Sequence, residues 1–192
     1  MLKRYKSIFE AQDVSSKSTA IKRTKLALPI KDWLKNNYFE GFKTILDFGA
    51  GRGDNVVFLQ ESLGSDVLVT GYEPHPHSIN PLIVSKYEDL EPSYDCIYST
   101  FVLNVVPKEI QDEIVSQIKK KSSNILIATR DDIIPEMKKM KRFIGKSEEE
   151  LLSIALEGFQ TGKDSMQRLV TEIPGFKELN RVNGKYRVFV KS

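Results

Sequence analysis

The stretch ILDFGAGRGDN, residues 45–55, constrains the fold of this 192-residue chain more than any other. It opens with Ile45, Leu46 and Phe48, an apolar run of the kind that fills a buried strand in a parallel sheet. It breaks into Gly49, Gly51 and Gly53, and from Asn55 it resumes with apolar residues at helical spacing. A strand that turns through glycines into a helix sets backbone N–H groups at a helix N-terminus with no side chains in the way. That is a docking surface for a nucleotide-like ligand. The dinucleotide pattern G-x-G-x-x-G would need its third glycine at position 54, where Asp54 stands. Asp47, two positions before the first glycine, would repel a pyrophosphate and suits a ligand with a positively charged end.

The remaining pattern predicts alternating strands and helices around that turn. A helix is predicted near 18–27 and another over 29–36, with Pro29 at the break. Strand one covers 43–48, its helix 54–63 with Gly64 as cap, and strand two 66–73. Glu73 at the end of strand two lies roughly 20 residues beyond the glycine turn, where an acidic side chain accepts hydrogen bonds from ribose hydroxyls. The prolines and asparagine of 75–81 predict a tight loop instead of a helix. His75 and His77 lie two apart there, with no third metal ligand nearby, so no metal site is expected. Strand three covers 82–85, strand four 94–99, an amphipathic helix 108–120, and strand five 124–129. A basic stretch with interleaved Met137, Met140, Phe143 and Ile144 follows, and Ser147 then opens a helix with capping-box spacing that Gly158 closes. A further helix is predicted over 164–173. Asn183-Gly184 between two alternating runs, 176–182 and 185–191, is a strong hairpin signal.

Composition bounds the function more loosely. The length suits one domain able to bury a stable core. Cys96 is the sole cysteine, so no internal disulfide and no cysteine-rich metal site can form. No apolar run reaches membrane-spanning length and the Lys-rich start lacks the apolar centre of a signal peptide, which points to a cytoplasmic protein with no membrane partner. The net charge of +3 is mild. Basic residues cluster in an N-terminal arm (Lys3, Arg4, Lys6, Lys17, Lys22, Arg23, Lys25) and again at Lys138, Lys139, Lys141, Arg142 and Lys146. Either cluster is solvated surface or a phosphate-contacting face for nucleic acid.

The glycine turn, with Asp47 before it and Glu73 after it, resembles the first motifs of class I S-adenosylmethionine-dependent methyltransferases. The strand-four exit STFVLNVVP, residues 99–107, resembles their fourth motif. The resemblance implies a Rossmann-like α/β fold: a doubly wound, mostly parallel seven-stranded sheet in the order 3-2-1-4-5-7-6, ending in an antiparallel hairpin. It implies S-adenosylmethionine as methyl donor and S-adenosylhomocysteine as product of the methylation, with no metal. The cofactor-binding residues it implies are Asp47, Phe48, Gly49, Ala50, Gly51, Gly53, Asn55, Glu73, Pro74, Thr100 and Phe101, with Tyr87 and Glu88 toward the adenine. The acidic residue usual after strand three aligns with Lys86, a departure that leaves Glu88, Asp89 or a stacked Tyr87 for the adenine. Asn104 stands where related enzymes often carry a histidine facing the methyl; it either orients an acceptor or makes a polar contact at the next helix. There is no (N/D)PP(Y/F) and no Pro-Cys, so neither of the familiar DNA-base mechanisms is signposted.

The segments TAIKRTKLALP, LDFGAGRGDN, GYEPHP and GKDSMQRLVT are similar to a smaller group, the methyltransferases associated with bacterial DNA phosphorothioation systems. That likeness implies that Thr19, Arg23 and Gln167 border the active site, with Arg23 beside Asn104 as a catalytic candidate, and it makes nucleic acid or a nucleotide-like group the first acceptor to consider. A small-molecule or protein acceptor, and a cofactor-binding accessory protein without turnover, remain alternatives. The expected organisation is an arm and helices over the site (1–40), then the cofactor-binding domain (41–192) with a lid insertion at 133–167. Oligomeric state does not follow from the sequence.

Overall fold

The structure is a computed structural model that describes residues 20–77, 79–158, 167–182 and 184–191. Seven strands form one sheet: β1 Thr44–Phe48, β2 Leu68–Tyr72, β3 Ile83–Val84, β4 Cys96–Thr100, β5 Ile125–Arg130, β6 Lys177–Val182 and β7 Tyr186–Lys191. Their spatial order is 3-2-1-4-5-7-6. β1 to β5 pair in parallel, and β7 runs antiparallel to both β5 and β6. Among the described residues five α-helices accompany them: α1 Leu28–Lys35, α2 Asp54–Leu63, α3 Lys108–Lys121, α4 Ile133–Lys138 and α5 Glu148–Glu157.

Successive strand residues point to opposite faces, so the central strands feed two cores. One face joins Ile45, Val69, Cys96, Tyr98 and Ala128 to Ile30 and Trp33 of α1 and Val56 and Leu59 of α2. The other joins Leu46, Phe48, Ile97, Ile125 and Ile127 to Ile110, Ile114 and Ile118 of α3. Burial on both faces explains why these strands read as near-continuous apolar runs. Desolvation in this core pushes the Cys96 thiol up to about 12, so it packs as a small apolar side chain. No helix among the described residues is long and apolar enough to cross a membrane.

Two predicted helices are replaced by extended chain. Residues 20–27 form no helix; their N–H groups turn outward to α2, Arg23 N donating to Asp54 Oδ2 (2.6 Å) and Ala27 N to Asn55 Oδ1 (3.0 Å). Ala27 is buried there while Ile21 is exposed, so the apolar spacing does not mark one packed helical face, and Pro29 sits in the first turn of α1, where its missing N–H costs nothing. Of the helix predicted over 164–173, the first three residues lie outside the described ones and 167–173 are extended. Arg168 N donates to Asn104 O and Leu169 N to Ala155 O, both at 2.7 Å, so these amides bond sideways instead of along a helix. The capping box at Ser147 and the helix-free 75–81 loop form as predicted, except that Ser78 lies outside the described residues.

Residues 133–158 carry a small core of their own, Ile133, Met137, Phe143, Leu151 and Ala155, closed by Leu169.

Candidate functional site

Strands β1, β2, β4 and β5 end, and β7 begins, at one edge of the sheet. A cleft of about 570 Å³ runs along that edge. It lies over the point where the strand order reverses between β1 and β4, the usual ligand crevice of a doubly wound sheet. Phe48, Gly49, Ala50 and Gly51 line it from β1, Tyr72, Glu73, Pro74 and His75 from β2, and Thr100, Phe101 and Val102 from β4. The far end is made by Arg130, Asp132, Gln167, Lys185 and Tyr186. Val105, Val106, Ile110 and Ile114 supply an apolar wall.

The glycine turn does not act as a bare cradle of N–H donors. Gly49 N and Ala50 N both donate to Tyr72 O at 2.9 Å, and Gly51 N donates to Glu73 Oε2 at 2.9 Å. Those amides are already satisfied, which disfavours a pyrophosphate and fixes the loop against the end of β2 instead. Glu73 is buried, and its second oxygen accepts from His75 N at 3.1 Å. Its carboxylate therefore stands at a defined place on the cleft wall.

Asp47 lies beneath the turn, 1 % exposed, and neither carboxylate oxygen has a hydrogen-bond partner. Burial raises its pKa to about 7, and the Glu73 charge adds to the rise. The adjacent Tyr98 phenol and the Arg23 guanidinium pull the other way, but neither phenol nor carboxylate meets hydrogen-bond geometry. A buried carboxylate left this way is costly, and such groups concentrate at functional sites. After β4 the chain leaves through Phe101 in a left-handed conformation (φ 64°), with Phe101 N bonded to Ala128 O at 2.8 Å. For a bulky residue that conformation is strained, and it leaves Phe101 lining the cleft while packed against the core on the α1–α2 face.

Most sequence-predicted residues meet here. Phe48, Gly49, Ala50, Gly51, Asn55, Glu73, Pro74, Thr100, Phe101, Arg23 and Gln167 all line the cleft. Asn55 is already bound, its Oδ1 holding the 20–27 strap through Ala27 N. Gly53 is the residue before α2 rather than a lining residue. Thr19 lies outside the described residues.

Three expectations need correction. Tyr87 does not line the cleft: its hydroxyl donates to Gln117 O (3.2 Å) and Lys121 Nζ sits 4.8 Å from its ring centre, which draws the ring toward α3. Glu88 is exposed on the same short turn, away from the cleft. Asn104 is fully buried and does not line the cleft. Its Nδ2 donates to Arg168 O and its Oδ1 accepts from Arg130 N, both at 2.7 Å, while its carbonyl accepts from Arg168 N. It clamps the β4 exit to the end of β5. Asn104→Ala would leave two buried backbone groups unpaired and is expected to cost about 2–4 kcal/mol of stability. A thermal melt checks this, and loss of turnover at unchanged melting temperature would instead restore a catalytic role.

The residues that sequence reasoning missed are mainly Arg130, Asp132, Lys185 and Tyr186. Arg130 Nε and Nη2 donate to the two Asp132 oxygens at 2.6 and 2.7 Å, and Nη1 donates to Gln167 Oε1 at 3.2 Å. Their signal was the charged Arg130-Asp131-Asp132 run at the end of a buried strand. The basic residues of 138–146 lie outside the cleft and largely face their own glutamates: Lys138 pairs with Glu148, Lys139 with Glu136 and Lys146 with Glu150. No described group of three or more His, Cys, Asp or Glu side chains is placed to hold a metal.

No family model matches the chain, and no curated protein matches it. Solved structures do. The structure of PigF with SAH (S-adenosylhomocysteine) is similar with a TM-score of 0.55 at 13% identity, over 86% of this chain and 54% of that one. The PH0226 protein from Pyrococcus horikoshii OT3 is similar with a TM-score of 0.54 at 10% identity, over 83% and 86% of the two chains. Magnesium protoporphyrin IX methyltransferase (ChlM) from Synechocystis PCC 6803 with bound SAH matches with a TM-score of 0.48 at 14% identity, over 85% and 80%. At such identities the likeness is one of fold. That fold is a doubly wound, Rossmann-like sheet with the antiparallel terminal hairpin that the sequence predicts.

Proposed function

We propose that the chain is a methyltransferase that transfers the sulfonium methyl of S-adenosylmethionine to a nucleophile admitted at the β5–β7 end of the cleft. The observation that carries this is the pair of acidic groups flanking the glycine turn: Glu73 held on the wall, and Asp47 buried beneath it without a partner. A donor set of buried carboxylates fits a cationic ligand and not a phosphate. The bound SAH in the similar PigF structure supports the same reading. In this reading Glu73 holds the ribose hydroxyls, Asp47 supplies the field for the ammonium and sulfonium charges, and Phe48, Val102, Ile110 and Ile114 offer an apolar wall to the adenine. S-adenosylmethionine supplies the activated methyl. The chain's own contribution is alignment of donor and acceptor, with a general base required only if the acceptor must lose a proton.

The acceptor belongs to the same proposal. Arg23, Arg52, Arg130 and Lys185 around the cleft support a nucleotide-like or otherwise anionic group. The paired lysines of the insertion give a long nucleic-acid track less support.

The decisive experiment is transfer of labelled methyl from S-adenosylmethionine into a lysate separated into nucleic acid, protein and small-molecule fractions. Label in any fraction supports turnover and names the acceptor class. S-adenosylhomocysteine binding without label, beside a working control enzyme, replaces the proposal with an accessory cofactor-binding role. Glu73→Ala is expected to weaken S-adenosylhomocysteine binding about 10- to 100-fold, the loss of charge-assisted bonds to two hydroxyls. Calorimetry showing parental affinity would move the ribose elsewhere.

A further inference from the structure

The geometry points to an oxyanion, a carboxylate or a phosphate carried by the methyl acceptor, that docks on Arg130 with Lys185 beside it. This rests on the methyltransferase reading and adds to it the chemistry of the second substrate.

The cleft divides along the sheet edge. Glu73 and the glycine turn occupy the β2–β1–β4 part, while Arg130 and Lys185 occupy the β5–β7 part, across Phe101 and Val102. The donor's methyl must be presented from the first part toward the second, so groups in the second part meet the acceptor.

Arg130 is built for that contact. It is half-buried, and three of its N–H groups are committed, two to Asp132 and one to Gln167. A guanidinium has five N–H donors, so two remain on a plane that its neighbours already hold. Immobilising the fork before the ligand arrives lowers the ordering cost of binding. Asp132 offsets the Arg130 charge, so Arg130 supplies direction more than attraction. The attraction comes from Lys185, exposed beside the start of β7 and with no ion pair among the described residues.

The anionic groups of the cleft are, by contrast, engaged. Asp54 accepts from Arg23 N, Glu73 from Gly51 N and His75 N, and Asp132 from Arg130. In the β5–β7 part Asp132 is paired with Arg130, so the charge left over there is that of Lys185. A backbone of phosphates tracked across the surface would need further cations, and lysines of the insertion are paired with glutamates; a single oxyanion on the acceptor needs only Arg130 and Lys185.

The test titrates the full chain, saturated with S-adenosylhomocysteine, with phenyl phosphate, benzoate and the neutral isostere benzamide. We expect the better anion to bind at least about tenfold more tightly than benzamide, more weakly as salt is raised. Phosphate preference over carboxylate, or the reverse, separates the two sources. Arg130→Gln should remove about tenfold of that preference, and Lys185→Gln, an exposed position that leaves the fold intact, about threefold. Anions binding no better than benzamide, or an unchanged preference in both variants, overturns the inference. If S-adenosylhomocysteine itself fails to bind, the methyltransferase reading fails separately, and the same titrations on the unloaded chain still decide the oxyanion site.

Discussion

Gly49→Val is expected to abolish S-adenosylhomocysteine binding, by about 100-fold or more, and to destabilise the fold by roughly 2–5 kcal/mol. Two separate causes add. Gly49 has φ +85°, a conformation that costs an L side chain roughly 1–2 kcal/mol. A Cβ built there would lie 2.4 Å from Val102 Cγ2, so either the turn or the β4 exit must shift, and both line the cleft. The causes can be parted. Gly64 has a similar φ of +81°, at a ψ of −171°, with nothing within 4 Å and sits at the far end of α2, so Gly64→Ala reports a positive-φ cost with no side-chain contact. Gly49→Ala combined with Val102→Ala relieves the contact and leaves the backbone cost. The pair should recover more than the sum of the single changes, a coupling that calorimetry and thermal melts measure directly. Parental affinity in Gly49→Val would remove the turn from the site.

What the sequence makes legible follows from how local each cause is. The turn from β1 to α2 is coded within a dozen residues, and α2 forms over 54–63 as its spacing predicts. Glu73 is legible because the length of one β–α–β unit is nearly fixed. Neighbouring residues mislead wherever distant ones decide. Residues 20–27 have helical apolar spacing, yet the side chains of Asp54 and Asn55 capture their amides. Asn104 follows a recognisable active-site phrase, but the left-handed Phe101 turns the chain so that Asn104 faces inward to Arg130 and Arg168. Tyr87 looks like an adenine stack until Lys121, 34 positions later in number, appears above its ring. The acceptor half was the least legible. Arg130, Gln167 and Lys185 come from three separate segments, and only the antiparallel return of β7 beside β5 brings Lys185 to the same edge.

Asp47→Asn is expected to trade cofactor affinity for stability, with a dependence on pH that identifies the cause. In the unfolded chain this carboxyl titrates near 3.8, and burial moves it to about 7 in the native state. Below pH 3.8 both states hold the proton and the burial costs nothing. Between those values the native state keeps a proton that the unfolded chain has lost, so stability falls by 1.36 kcal/mol per pH unit as pH rises, and the loss levels off above about 7. Asparagine carries no such charge. Its own unpaired amide imposes a cost of about 1–3 kcal/mol, but that cost does not vary with pH. The stability of Asp47→Asn relative to the parent should therefore improve by about 2–3 kcal/mol between pH 5 and pH 8, a relative gain of roughly 5–10 °C in melting temperature. Cofactor binding should move oppositely. A ligand with a positive end favours the ionised carboxylate, so parental affinity for S-adenosylhomocysteine rises toward pH 7 and then flattens, whereas the asparagine variant binds weakly with a flat profile. Melts showing no pH-dependent gain would mean that Asp47 is compensated in solution, and equal affinity profiles would take it out of the cofactor site.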